Sequence, residues 1–254
     1  MASFTLEKFG HLALLTLDSH EKRNLLTPDN ARAIADAVTA LSDDLSVKAL
    51  AVTGAAQAFC AGADLSTLLD AAHGDGTELL QIYQAFTAVA QSPLLTIALV
   101  NGPALGAGMN LAMACDIRIA SVEAWFESRF FGLGIHPGGG HSWLLPQQVG
   151  WQQAAAMIFS GERLSATAAL QLGFIKELVP ADELFTRAKT LTQHLAEVPA
   201  ALVRQTKTSM VALRGCVRQE DAVAYEFTQQ FQSLQTDAAK ANIAALLMKL
   251  QKKA

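Results

Sequence analysis

The residues best suited to chemistry lie between Asn101 and Ala120, in the stretch NGPALGAGMNLAMACDIRIA. An apolar run from Leu94 to Val100 precedes it, and glycines at positions 102, 106 and 108 interrupt the chain before a helical pattern over Met109–Ala114. A strand, a glycine turn and a helix N-terminus point several backbone N–H groups at one place. Such a place can bind a negatively charged oxygen, although a tight turn between two buried elements has the same pattern.

A second stretch has the same layout. Residues Ala55 to Leu65 read AAQAFCAGADL, and they follow another apolar run, Ala49 to Thr53. Here Gly62 stands just before an expected helix start. Two strand–glycine–helix junctions could place two N–H donors on one oxygen. The pair therefore predicts an oxyanion site that both stretches share.

Together and in this order, the two stretches resemble loops of the crotonase superfamily, the enoyl-CoA hydratase/isomerase family. The first family loop reads phenylalanine–x–alanine–glycine–x–aspartate and is matched here by Phe59, Ala61, Gly62, Ala63 and Asp64. The second is a glycine-rich turn, matched by Gly106, Ala107 and Gly108. The resemblance extends from about residue 12 to residue 180. It implies that the backbone N–H groups of Ala63 and Ala107 hold the oxygen of an acyl-CoA thioester.

The acid and base positions of the family carry no carboxylate in this chain. A family hydratase uses two glutamates, and the matching positions hold Asn110 and Phe130. Some family isomerases use an aspartate directly after a later proline, but here Pro137 is followed by Gly138. Asn110 could orient a water or bind a polar acyl group, but an amide is not an ordinary base. Simple hydration of a 2-enoyl-CoA is therefore not expected from these positions.

Nearby residues are alternatives for proton transfer. His136 precedes Pro137 in a glycine turn and is a candidate catalytic residue, unless it only hydrogen-bonds the turn. Glu127 is a second candidate, but alternation from Phe126 would turn it away from the site and favours a surface or ion-paired residue. His141 begins an expected helix, where capping or packing is the simpler role. The string HPGGGH offers two histidines and no third ligand, so no metal site is expected.

The remaining site expectations concern the CoA portion and the acyl group of the ligand. Lys22 and Arg23 lie where the family approaches the CoA phosphates, or else they are solvated turn charges. Asp64 is expected to cap the helix after the first loop. By resemblance, the substrate-binding residues are Lys22, Arg23, Ala61, Gly62, Asp64, Gly106, Asn110 and Phe130. No separate cofactor is implied, because CoA is part of the substrate.

Short apolar runs alternate with helical patterns, which predicts an α/β fold. Examples are a strand over Leu12–Leu17 and a helix start at Thr27 and Pro28, where a hydroxyl cap precedes proline. Residues 66–77 have the composition of a mobile loop beside the site. The resemblance implies a crotonase-like spiral of ββα units over residues 1–199. It also implies a helical C-terminal region over residues 200–254, which helps to form a homotrimer or a dimer of trimers.

Composition limits the possible partners. Hydrophobic residues make up 51% of the 254 residues, which is enough for a large core. A formal net charge of −4 argues against nucleic acid and anionic membranes as general partners. Residues 1–10 lack the apolar core of a signal peptide, and residues 101–103 break the apolar window 94–114, so no membrane span is expected. The three cysteines show no metal spacing, and a cytoplasmic protein fits best.

These features predict an enzyme that acts on acyl-CoA thioesters and stabilises an enolate-like intermediate with two N–H donors. The missing carboxylates leave isomerisation, hydrolysis and carbon–carbon cleavage open as reactions. They also leave open a non-catalytic acyl-CoA binding protein that kept the fold. A serine peptidase of the distantly related Clp fold is disfavoured, because Met109 and Asn110 stand where its serine would be.

Overall fold

The computed structural model of the chain describes residues 3–19, 21 and 23–251. The chain divides into two compact units, Met1–Ala196 and Glu197–Ala254. The strands of the first unit are β1 (Phe4–Phe9), β2 (Leu12–Leu17), β3 (Ala49–Gly54), β4 (Leu95–Val100), β5 (Ala104–Leu105), β6 (Ile117–Ala120), β7 (Trp125–Glu127), β8 (Leu164–Ser165) and β9 (Glu177–Leu178). Its α-helices are α1 (Pro28–Asp43), α2 (Leu65–Ala72), α3 (Thr77–Gln91), α4 (Ala107–Ala114), α5 (His141–Val149), α6 (Trp151–Phe159), α7 (Ala166–Gln171) and α8 (Leu184–Thr192).

The strands of the first unit form two sheets. The larger sheet has the order β1-β2-β3-β4-β6-β9, in which only the β1–β2 pair is antiparallel. The smaller sheet has the order β5-β7-β8, with β5 parallel to β7. Strands that alternate with helices make this a mixed α/β fold, as the sequence pattern predicts.

Both faces of the larger sheet are buried, which accounts for the nearly continuous apolar runs of its parallel strands. On one face Leu12, Ala51 and Leu99 pack against Leu184 and Ala188 of α8. On the other face the alternate residues join a larger core with α1, α3 and α4; they include Leu15, Leu17, Leu50, Val52, Ala98 and Val100. Because alternate residues of a strand point to opposite faces, most positions in these runs have to be apolar.

Helix α1 starts where the sequence indicates. Thr27 Oγ1 accepts a hydrogen bond from the backbone amide of Asn30 at 3.3 Å. In return, Asn30 Oδ1 accepts one from the backbone amide of Thr27 at 2.9 Å. Pro28 occupies the first helical position, and Ile34 and Val38 face the core. This reciprocal capping satisfies two amides that have no partner inside the helix. Strand β2 also has the bounds that its apolar pattern predicts.

The interpretation of residues 66–77 as a mobile loop is wrong. Helix α2 covers Leu65–Ala72, and α3 already begins at Thr77, so only residues 73–76 form the connection. Asp64 Oδ1 accepts hydrogen bonds from the Ser66 amide and hydroxyl, at 2.9 and 2.8 Å, and so caps α2. Glycine and aspartate mark the short connection, but the leucines and alanines before it are good helix formers.

The apolar window over residues 94–114 is made of β4, β5 and the buried helix α4. No helix in the described part of the chain is both long enough and apolar enough to cross a membrane. The second unit is helical and consists of α9 (Ala200–Ala212), α10 (Gln219–Leu234) and α11 (Asp237–Gln251). Within it, Gln205 Nε2 donates to Gln229 Oε1 at 2.9 Å and joins α9 to α10.

Candidate active site

Two neighbouring parallel strands, β3 and β4, end at the same edge of the larger sheet. The loops that follow them are therefore side by side. The side chain of Asn101 joins them: its Oδ1 accepts from the Gly54 amide at 3.2 Å, and its Nδ2 donates to the Ala56 carbonyl at 3.0 Å. The two glycine stretches of the sequence are thus brought together by strand pairing and by one half-buried amide side chain.

The loops also bond to each other through their backbones. The Leu105 amide donates to the Cys60 carbonyl at 3.0 Å, and the Cys60 amide donates to the Pro103 carbonyl at 3.1 Å. A Cβ atom on Gly108 would lie only 2.1 Å from the Cys60 carbonyl oxygen. Only glycine permits this approach of helix α4 to the first loop. We call residues 61–64 and 106–108 the donor loops.

Each donor loop contains amides that have no acceptor in the described part of the chain, and Ala63 and Ala107 carry one of them each. Ala107 is the first residue of α4, where an amide has no partner within the helix. The Gly62 carbonyl and the Asp64 amide both bond to Leu26, at 2.8 and 2.9 Å, and the Ala63 amide between them stays unpaired. A Cβ on Gly62 would lie 3.8 Å from the Ala107 nitrogen, so the two amides stand on adjoining backbone.

Both donor loops line a cavity of about 530 Å³. This volume is in the range of small-molecule sites, which are usually mostly apolar with a few polar groups. The larger apolar side chains in the wall are Leu25, Leu65, Leu68, Leu79, Phe130, Leu133 and Ile135. The polar side chains in the wall are Arg23, Tyr83, Asn110, Ser128, Arg129 and His136. No aspartate or glutamate is among the described residues that line it.

Three buried side chains, two of them in the cavity wall, form a hydrogen-bonded series that we call the polar chain. Ser128 Oγ lies 2.9 Å from His141 Nε2, and His141 Nδ1 lies 2.8 Å from Asn110 Oδ1. Asn110 Nδ2 then donates to the Gly138 carbonyl at 3.0 Å. Ser128 and Asn110 line the cavity, whereas His141 lies behind them with none of its surface exposed.

Burial sets the protonation of two groups at the site. Desolvation lowers the pKa of His141 to about 4, and the Phe130 ring packs over the imidazole with ring centres 4.9 Å apart. The imidazole is therefore neutral at neutral pH. Tyr83 is half-buried, and desolvation raises its pKa despite an opposing hydrogen bond from the Gly139 backbone. Tyr83 thus remains a protonated phenol.

Most of the residues expected at the site line the cavity. They are Arg23, Ala61, Gly62, Ala63, Gly106, Ala107, Asn110, Phe130 and His136. Lys22 lies outside the described residues. His136 is exposed, and its Nδ1 lies 2.8 Å from the carbonyl of Pro137. Asp64 is not in the cavity wall and caps α2.

Glu127 is also placed away from the cavity. Its carboxylate pairs with Arg129 Nε at 3.2 Å and with Arg163 Nε at 3.0 Å. The guanidinium of Arg163 also packs over the Trp125 ring, 4.3 Å from its centre. The Glu127 backbone does reach the site, because its carbonyl accepts from the Gly106 amide at 3.0 Å. The structure therefore brings this strand to the second donor loop with the carboxylate turned away.

Sequence reasoning missed Ser128 and Tyr83 and assigned His141 a capping or packing role. Ser128 and His141 are 13 residues apart, and His141 and Asn110 are 31 apart. No motif or periodicity links positions at these separations. Among the described residues, no group of three histidine, cysteine, aspartate or glutamate side chains could hold a metal ion.

A mixed α/β fold with paired glycine loops at the end of a parallel sheet is the architecture of the crotonase class, and comparisons with known proteins agree. The family model for enoyl-CoA hydratase/isomerase matches residues 7–253. The chain is 40% identical over 242 residues to the probable enoyl-CoA hydratase EchA14 of Mycobacterium tuberculosis, covering 92% of this chain and 93% of that protein. It is 34% identical over 206 residues to the crotonyl-CoA hydratase of Syntrophomonas wolfei, covering 80% and 79%.

A solved structure leads to the same family. The Thermobifida fusca protein that was solved in complex with acetoacetyl-CoA superimposes with a TM-score of 0.81 and 28% identity, covering 92% of this chain and 95% of that one. The chain belongs to the enoyl-CoA hydratase/isomerase family. Its relatives are named as hydratases, so the family is one of enzymes.

Proposed function

We propose that the protein is an enzyme that binds acyl-CoA thioesters and stabilises negative charge on the thioester oxygen. The observation that carries this proposal is the pair of unbonded amides, Ala63 and Ala107, on adjoining loops in one cavity wall. Fixed N–H donors that point at a developing oxyanion are among the largest contributions to enzymatic rate. The charge arises in an enolate-like intermediate, as the family resemblance implies, or in a tetrahedral adduct at the same carbon.

The acyl chain would lie among the apolar side chains of the cavity. Arg23 is exposed in the wall and carries the charge expected near the CoA phosphates, together with Lys22. No separate cofactor is needed in this proposal, because CoA is itself part of the substrate. A homotrimer or dimer of trimers in the cytoplasm is part of the same proposal and rests on the family resemblance. Light scattering that shows a stable monomer would contradict the oligomer.

A second candidate function is acyl-CoA binding without catalysis. It is favoured by the lack of any aspartate or glutamate among the described residues that line the cavity. A hydratase needs such groups to activate water and to protonate carbon. The two functions make the same prediction for binding and differ in whether the thioester is consumed.

Calorimetric titration tests the part that both candidates share. We expect acetyl-CoA and octanoyl-CoA to bind more tightly than free CoA, because only the thioester oxygen reaches the two amides. Two hydrogen bonds of about 1 kcal/mol each correspond to roughly 30-fold in affinity. Equal affinity for the esters and free CoA would contradict an oxyanion site at Ala63 and Ala107, and no binding at millimolar ligand would contradict the proposal as a whole.

A further inference from the structure

The donor and acceptor roles along the polar chain follow from a single carbonyl group. The Gly138 carbonyl can only accept, so the atom of Asn110 that faces it must be Nδ2. Asn110 Oδ1 therefore faces His141 and must accept from a protonated Nδ1. The neutral ring then has an unprotonated Nε2, to which the Ser128 hydroxyl donates. Hydrogen bonds are therefore donated from the Ser128 hydroxyl to the His141 imidazole and from the imidazole to the Asn110 amide oxygen. Each of these donors has an acceptor.

This order is the one that activates a nucleophile. A hydroxyl bonded to a neutral imidazole nitrogen, with the opposite ring nitrogen oriented by a third group, has the parts of a hydrolytic triad. The amide of Asn110 takes the orienting place that a carboxylate often occupies. Burial keeps His141 in the neutral form that can accept a proton.

Ser128 also stands beside the oxyanion donors. It directly follows β7, and the residue before it accepts the Gly106 amide hydrogen bond at 3.0 Å. A Cβ on Gly106 would lie 3.8 Å from the Ser128 carbonyl oxygen. Ser128 and the Ala107 amide therefore adjoin the same short stretch of backbone and line the same cavity. A nucleophile, a base, an orienting group and two oxyanion donors converge on one place.

We propose that Ser128 is the nucleophile of a thioesterase reaction, with His141 as general base and Asn110 as the residue that positions His141. This inference rests on the proposed binding of acyl-CoA thioesters and names the reaction that follows. The substrates are acyl-CoAs that need no double bond, because hydrolysis requires only the thioester carbonyl.

The proposed reaction has two balanced steps. Ser128 Oγ attacks the thioester carbon while its proton passes to His141 Nε2, and the Ala63 and Ala107 amides hold the oxyanion. The carbon–sulfur bond then breaks, and His141 returns the proton to the CoA sulfur, which leaves an ester on Ser128. Water gives a proton to His141 and attacks this ester; the bond from the acyl carbon to Ser128 Oγ then breaks, His141 returns that proton to Oγ, and the carboxylic acid leaves. Charging a buried imidazole is costly, so slow turnover is expected.

Trapping of the acyl-enzyme tests the proposal directly. The full chain is mixed with acetyl-CoA or octanoyl-CoA, quenched in acid and analysed by intact-protein and peptide mass spectrometry. We expect one acyl group on the peptide that contains Ser128, and chromatography should show free CoA formed with time. Ser128→Ala should lose both signals, and His141→Gln should lower the rate by about 10²-fold or more. Ser142→Ala is the matched control, because Ser142 is exposed and does not line this cavity.

A fluorophosphonate probe gives a readout that does not depend on CoA. It should label Ser128 in the wild type and in Ser142→Ala, and it should not label Ser128→Ala. Asn110→Ala should slow labelling and lower kcat with little change in KM, which a purely structural amide would not do. Circular dichroism shows whether each variant folds. If Ser128→Ala does not fold, Ser128→Cys should fold, form a thioester with the acyl group and keep the proposal testable.

The outcomes separate this inference from the proposed function. Acyl-CoA binding without hydrolysis, adduct or probe labelling would overturn the nucleophilic role of Ser128 and leave the oxyanion site standing. Hydrolysis that persists in a folded Ser128→Ala variant would also overturn it. Probe labelling of Ser128 without any acyl-CoA binding would support the activated serine and contradict the proposed substrate class.

Discussion

The two sides of the cavity obtain their polar groups in different ways. The donor loops present backbone amides, which exist whatever the side chains are, and their positions follow from strand pairing and glycine contacts. The polar chain presents side chains from a loop, from α5 and from α4, and each depends on its neighbour for orientation. A backbone site therefore tolerates substitution that keeps the loop geometry, whereas a side-chain network is altered by a single change.

The largest effect is expected from placing carboxylates at the positions of Asn110 and Phe130 in the cavity wall. The native protein should hydrate crotonyl-CoA negligibly, because Asn110 cannot take a proton from water and Phe130 is apolar. The double variant Asn110→Glu with Phe130→Glu should raise hydration by about 10²–10⁴-fold if the donor loops retain their geometry. The assay is the loss of the conjugated enoyl absorbance, and each single variant should gain much less.

Two results would contradict this view of the cavity. A native hydration rate equal to that of ordinary hydratases would mean that another group in the cavity wall, such as His136, supplies the proton chemistry. A double variant that folds and binds acyl-CoA without any hydration would mean that the cavity has diverged at further positions.

The next largest effect concerns stability against pH. His141 has a pKa of about 4 in the folded chain and about 6.5 when unfolded, so below pH 6.5 the unfolded chain binds more protons. The contribution of neutral His141 to the free energy of unfolding is fully present above pH 6.5. It falls by about 3 kcal/mol as the pH is lowered to 4. The groups that contact the ring, Asn110, Ser128 and Phe130, carry no charge.

Urea unfolding of the wild type and His141→Gln at several pH values measures this contribution. The variant should lose about 3 kcal/mol less stability than the wild type between pH 7 and pH 4. His194→Gln replaces an exposed histidine and should keep the wild-type slope. Parallel pH profiles for the wild type and His141→Gln would show that folding does not lower the pKa of His141.

The third prediction tests the donor loops through their closest contact. Gly108→Ala places a Cβ 2.1 Å from the Cys60 carbonyl and must move α4 away from the first loop. We expect a loss of about 1–3 kcal/mol in stability and of most of the preference for acyl-CoA over free CoA. Thermal unfolding and calorimetry measure the two effects. Gly132→Ala, with open space around the added Cβ, should change neither.

The smallest effect is expected at the end of the first donor loop. Asp64→Ala removes the cap of α2 and should lower the free energy of unfolding by about 1 kcal/mol. The Ala63 amide does not depend on this side chain, so the affinity for acyl-CoA should stay within about twofold. A large loss of affinity in a folded variant would show that the donor loops also depend on side-chain contacts. Urea unfolding and calorimetry separate the two outcomes.

Several elements could be predicted from local sequence because local interactions determine them. The reciprocal cap at Thr27 and Asn30 and the apolar run of β2 have the expected bounds. Residues 66–77 were predicted wrongly as a loop, because the glycines and aspartate at the end of this stretch outweighed the helix-forming residues of the two-turn helix at its start. Only half of the residues of strand β1 are apolar, and most residues of the strand are exposed, so no apolar run in the sequence indicates this strand.

The sequence by itself determined where the backbone donors lie. Apolar runs made β3 and β4 buried parallel strands, and the glycines after them permitted the close approach of the loops. Only the tertiary structure decided that Ser128, His141 and Asn110 form one chain and that the Glu127 carboxylate turns toward two arginines. The effect of a glycine comes from its own dihedral angles and its missing side chain, so it can be predicted from the residue type alone. A side-chain hydrogen bond depends on how separate elements pack, which local pattern does not encode.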